Sequence, residues 1–92
     1  MPEWTRLAQK VYDYILTTKD SHSLNIRRPH EKLYRYTSFE LRRAVPELPK
    51  VLIGFIMTIL EHEGKIEIVN KWNSRGKYNN KTIYIIRIKS EN

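Results

Sequence analysis

At 92 residues the chain is long enough for one hydrophobic core, and with no cysteine it has neither disulfides nor a thiolate metal site to hold that core together. Its apolar run at 51–60 is too short to span a bilayer, and Glu3 and Trp4 stand where a signal peptide needs a basic and then an apolar stretch, so a single-domain cytoplasmic protein is expected. Seventeen Lys and Arg against ten Asp and Glu give a net charge of +7, which favours partners that carry phosphate. The excess is uneven: residues 1–26 balance, 27–50 carry +4, 51–64 carry −2 and 65–89 carry +6. Positive charge therefore brackets the apolar centre of the chain, either as a binding footprint or as an ordinary solvated face.

Residues 4–18 place Trp4, Leu7, Ala8, Val11, Tyr14, Ile15 and Thr18 on one face, which is the periodicity of an amphipathic helix. Tyr12 falls on the outer side, as partial packing or a dimer contact. The β-branched pair Thr17 and Thr18, followed by Asp20 and Ser21, weakens continuation. From 19 to 33 the pattern vanishes into a long loop, with a turn of helix expected at 30–33. Its Arg27 and Arg28 either meet phosphates or sit on a surface without a partner. Tyr34, Arg35 and Tyr36 alternate aromatic and basic and predict a short strand. Thr37-Ser38-Phe39-Glu40 matches a capping box, in which the Thr hydroxyl takes a free amide and Glu40 reaches back to the cap's own amide. A second helix is predicted from 38 to about 44, stopped by Pro46, with Phe39, Leu41 or Ala44, and Val45 available to the core.

The segment 49–63 reads as the third helix, opened by Pro49 and terminated by Gly64. Leu52, Ile56, Ile59 and Leu60 face inward in this reading, joined by Phe55 or Ile66. Lys50, Gly54, Met57 or Thr58, and Glu61 lie outward, with Ile53 also exposed. Gly54 costs about 1 kcal/mol of helix propensity against alanine, which raises the expectation of a close backbone approach. Then Ile66, Ile68 and Trp72 alternate with Lys65, Glu67, Val69 and Lys71, as in a half-buried strand. Residues 73–80 read as a basic turn containing Gly76, and 81–89 alternate again, with Thr82, Tyr84, Ile86 and Ile88 on one face. Two antiparallel strands joined by an exposed loop follow, with 90–92 as a free tail.

The order helix, short strand, helix, tight turn, helix, strand, loop, strand resembles the winged-helix variant of the helix-turn-helix over nearly the whole chain. The compact size also resembles small winged-helix regulators of archaea and their viruses. The resemblance implies an α+β fold of three helices, a short strand and a C-terminal hairpin wing. It implies binding to double-stranded DNA as a small transcriptional regulator, with the helix at 49–63 in the major groove and the wing, 73–81, on backbone or minor groove. Carried onto this chain, Lys50, Gly54 and Thr58 would lie near bases or backbone, Arg42 and Arg43 on phosphate, and Arg75, Lys77, Tyr78 and Lys81 in the wing. A homodimer through the first helix or the C-terminal strand is the expected assembly. The chain departs from the family in its third helix, which has one lysine and no Arg, Asn or Gln, the groups that read base edges in the major groove.

That departure leaves the exposed Ile53 and Met57 to contact thymine methyls instead, and keeps a second reading open, in which an apolar strip around Ile53 and Met57 binds a protein partner or a second subunit. A third, RNA or single-stranded DNA binding, draws on the aromatic and basic residues at 34–36 and 75–78. Trp4 and Trp72, on the apolar faces, are expected in the core. His22, His30 and His62 lack metal-ligand spacing, and Glu61 and Glu63 are two apart and so do not face one site on a helix. Neither a metal, a cofactor nor an enzymatic constellation is expected.

Overall fold

The structure, a computed structural model, describes residues 3–24, 32–76 and 80–91. They comprise α1 (Glu3–His22), β1 (Tyr34–Thr37), α2 (Ser38–Ala44), a 3-10 turn (Lys50–Leu52), α3 (Ile53–His62), β2 (Ile66–Arg75), β3 (Asn80–Ile88) and a closing 3-10 turn (Lys89–Glu91). The strands form one antiparallel sheet in the order β1-β3-β2, so the chain is α+β. None of the described helices is long and apolar enough to cross a membrane.

Leu7, Ala8, Val11 and Ile15 of α1, Leu41 of α2 and Ile53, Ile56, Met57 and Leu60 of α3 bury against Tyr34, Tyr36, Ile66, Tyr84, Ile86 and Ile88 on one sheet face. Helix α1 does not stop at Thr18 as its local sequence predicts. Tertiary contact overrides propensity there. The Thr17 and Thr18 hydroxyls donate back to the Asp13 and Tyr14 carbonyls, the Tyr36 hydroxyl donates to the Ile15 carbonyl at 3.0 Å, and the His22 ring stacks on Tyr36 with centroids 4.2 Å apart. Burial pushes the Tyr36 phenol up to about 12, so it remains a neutral donor. Tyr12 is half-buried under the Lys65 ammonium, 5.3 Å from its ring centroid, which accounts for it as packing.

Helix α2 runs as predicted, from Ser38 to Ala44, and Thr37 caps it by accepting the Glu40 amide at 3.2 Å. The other half of the capping box is replaced. The Glu40 carboxylate accepts from the Thr37 hydroxyl at 3.2 Å and meets His22 Nε2 at 2.5 Å, tying the start of α2 to the end of α1. Phe39 is exposed rather than part of the core.

Pro49 does not open the third helix. It precedes the 3-10 turn, and α3 begins only at Ile53. At the far end the prediction holds. Gly64 takes φ 75°, its amide bonds the Glu61 carbonyl and the Lys65 amide bonds the Leu60 carbonyl, a Schellman closure. The buried stripe of α3 is 53, 56, 57 and 60, so Ile53 and Met57, expected outward, are 2% and 0% exposed. Residues 51–53, 55–57 and 59–60 are all apolar, and two different i, i+3, i+4, i+7 sets fit them. The outward apolar residues are Val51 and Phe55.

The two flanks of β3 are both paired, so the C-terminal strand offers no edge to a second subunit. Ser90 and Glu91 are not a tail: Tyr34 Oη donates to the Glu91 carboxylate at 2.8 Å and Lys19 pairs with it at 3.4 Å. Asn92 lies outside the described residues, as do 30–31 of the helical turn expected at 30–33, while Lys32 and Leu33 are irregular and not helical.

Candidate nucleic-acid interface

The register of β2 on β3 decides which side chains face α3. From Ile66 to Ile68 the strand pairs without interruption, Ile66 with Ile88 and Ile68 with Ile86, but Val69 has no partner and Asn70 takes Ile85. This bulge shifts the alternation by one residue. Asn70 steadies it by accepting the Lys71 amide on its own side-chain oxygen at 2.8 Å. Beyond the bulge Lys71 pairs with Tyr84, Asn73 with Thr82 and Arg75 with Asn80, on the face that carries the core further along. Trp72 pairs with Ile83 on the opposite face and is 42% exposed. Unbroken alternation predicts the reverse, Trp72 inward and Lys71 outward, and the bulge is the physical reason it fails. Trp4 also leaves the core: it is 40% exposed and meets Phe55 edge-on, ring centroids 5.7 Å apart.

The result is a cleft of about 490 Å³ between the hairpin and the start of α3, lined by Lys50, Val51, Ile53 and Gly54 on one side and by Lys71, Asn73, Arg75, Asn80 and Lys81 on the other. Ser38, Thr82 and Tyr84 complete it. Ser38 Oγ accepts the Thr82 amide at 2.9 Å, which fixes α2 to β3 at its edge. Thr82 Oγ1 donates to Asn73 Oδ1 at 3.0 Å and so leaves the amide nitrogen of Asn73 as the donor toward the cleft. Burial holds the Tyr84 phenol above its ordinary value, keeping it an uncharged hydroxyl.

Four cations and no carboxylate line this cleft. Five acids are engaged elsewhere: Glu47 with Arg6 and Lys10, Glu63 with Lys65, Glu67 with Arg87, Glu91 with Lys19 and Lys32, and Glu61 with the Ile68 amide. Among the described residues none of the four cleft cations has an acidic partner. Such an unneutralised, concave cluster concentrates positive potential where a polyanion would dock.

Of the residues singled out in the sequence, Lys50, Gly54, Arg75 and Lys81 come together here. Arg75 and Lys81 do so from strands, because the connection between β2 and β3 is 76–79 and not the longer 73–81. Arg42 joins at the margin, in a smaller depression shared with Lys50 and Asn80. Arg43 does not. It lies over the Phe39 ring and beside Tyr14 and Glu40, on the other side of α2. Thr58 is exposed one turn beyond Gly54 and gives its hydroxyl hydrogen to the Gly54 carbonyl at 2.9 Å. Lys77, Tyr78, Arg27 and Arg28 lie outside the described residues. Lys71, Asn73 and Asn80 are the residues that sequence reasoning misses, and the one signal for them is the apolar Val69, out of phase with Ile66 and Ile68.

Gly54 is not demanded by the fold. A Cβ there would meet only Tyr84 Oη, at 3.7 Å, an ordinary contact. The expected close backbone approach within the protein is therefore absent.

Compared with family models, curated proteins and solved structures, the chain matches none.

Proposed function

We propose that this chain is a winged-helix module that binds double-stranded DNA as a small transcriptional regulator, with α3 in the major groove and the β2–β3 hairpin as the wing. The observation that carries the reading is the cleft whose described lining has four cations and no carboxylate, set between the start of α3 and the hairpin. Lys50, Lys71, Arg75 and Lys81 neutralise phosphates, and Arg42 extends that row along α2. Asn73 and Asn80 add uncharged hydrogen-bonding groups to the same surface. Contacts of this type fix position and orientation and carry no sequence information themselves. The activity is occupancy, with no bond made or broken.

A second reading has its own observation. Val51, Phe55 and Trp4 form an exposed apolar ridge, which suits a protein partner or a second subunit. It takes the place of the strip around Ile53 and Met57, which are core. Support for single-strand binding weakens, because Tyr34 and Tyr36 are buried in the sheet and have no face free for a base.

A titration of the labelled protein with a random-sequence duplex, followed by backbone amide shifts, tests the leading reading. The shifts are expected to concentrate at 50–58 and 71–81 and to spare the far end of β3 and the closing turn. Shifts confined to α1 and the closing turn, or spread evenly over the surface, would count against the cleft.

A further inference from the structure

We infer that α3, on a duplex, selects thymine through its methyl group, with Val51 and Phe55 as the reading side chains; this rests on the duplex-binding reading above. Val51 and Phe55 are one helical turn apart on the exposed side of the chain around α3, and they are 86% and 49% exposed. Val51 is also part of the wall of the basic cleft, so the apolar ridge and the phosphate-binding cations form one continuous surface. An occupant of that surface has to offer negative charge and methyl or ring carbon side by side. The major groove of a duplex offers both: phosphates at its edges, and thymine C5-methyl groups on its floor.

The hydrogen-bonding inventory of the same stripe points the same way. Gly54 has no side chain, and the Thr58 hydroxyl hydrogen is already given to the Gly54 carbonyl. Past Lys50, then, the groove-facing turns of α3 carry no donor fork that could distinguish guanine or adenine. What they present is carbon. Gly54 contributes by absence: a Cβ there would stand in the cleft, 3.7 Å from Tyr84 Oη, so its lack keeps the cleft wall beside Val51 low.

The test uses two duplexes of one A·T-rich sequence, identical except that deoxyuridine replaces thymidine throughout the second. That exchange removes the C5-methyl groups and leaves every phosphate and Watson–Crick edge in place. The thymidine duplex is expected to bind about fourfold tighter for each methyl group buried, the value of one apolar carbon taken from water. Val51→Ala, at a position outside the core, is expected to reduce the ratio between the two duplexes while leaving the salt dependence of binding unchanged. Equal affinity for both duplexes, with salt-dependent binding intact, would overturn methyl readout and leave duplex binding standing. Failure to bind either duplex would remove the duplex reading itself. Equal affinities together with a concentration-dependent dimer that Phe55→Lys dissociates would assign the ridge to a protein interface instead.

Discussion

Replacing Met57 by lysine is expected to abolish folding, whereas lysine at Phe55, half a turn away, leaves the fold intact. Met57 is completely buried and packs in the cluster that joins α3 to α1 and the sheet. Truncating such a side chain alone costs about 2–5 kcal/mol, and an ammonium placed there without a partner adds a desolvation penalty on top. A chain of this size has about 5–14 kcal/mol of total stability, so the substitution consumes most or all of it. Phe55 is 49% exposed and touches Trp4 at its edge, so its replacement loses one partly solvated ring contact, worth about 1 kcal/mol. Circular dichroism with urea unfolding separates the two. A folded Met57→Lys with near-normal stability would mean that α3 buries a different stripe, and with it the placement of Val51 and Gly54 in the cleft would fall.

Removing Lys71 and Arg75 together is expected to weaken duplex binding about tenfold per residue at 0.1 M salt and to make the salt slope shallower by about 2, since each cation that meets a phosphate releases about one counterion. The effect should be uniform across sequences, because backbone contacts do not read bases. Net charge alone predicts the same loss for any two cations. The control is therefore Lys65→Ala with Lys89→Ala, which removes equal charge at the other end of the hairpin: the Lys89 amide bonds the Lys65 carbonyl, at the end of β3 roughly 30 Å from Asn80. That pair should change the slope little. Equal losses in both double variants would show that binding follows total charge and not the cleft.

Features governed by neighbours in sequence were legible. Thr37 caps α2 by its hydroxyl, Pro46 ends that helix, Gly64 closes α3, and the alternation of β3 puts Tyr84, Ile86 and Ile88 inward. Features governed by distant contacts were not. The end of α1 is set by Tyr36 stacking on His22, the buried stripe of α3 by what the sheet accepts, and the far half of β2 by the bulge at Val69. The candidate site divides the same way. Lys50, Gly54, Arg75 and Lys81 were visible as basic or small residues at the ends of elements. Lys71 reads as outward and Asn73 as part of the turn from local pattern alone, and the register of β2 on β3 brings both to the cleft, whereas Arg43 sits beside Tyr14, Glu40 and Ala44 and does not line it.

The central claim is that the cleft between α3 and the hairpin holds duplex phosphates, and the most direct test is the affinity of the unaltered protein for a random-sequence duplex and for the matching single strand across a salt series. Five cations on that surface, Arg42, Lys50, Lys71, Arg75 and Lys81, predict a clear duplex preference and a slope of log affinity against log salt of about −4.5. Weak binding to both strands, without discrimination and with a slope near zero, would contradict it.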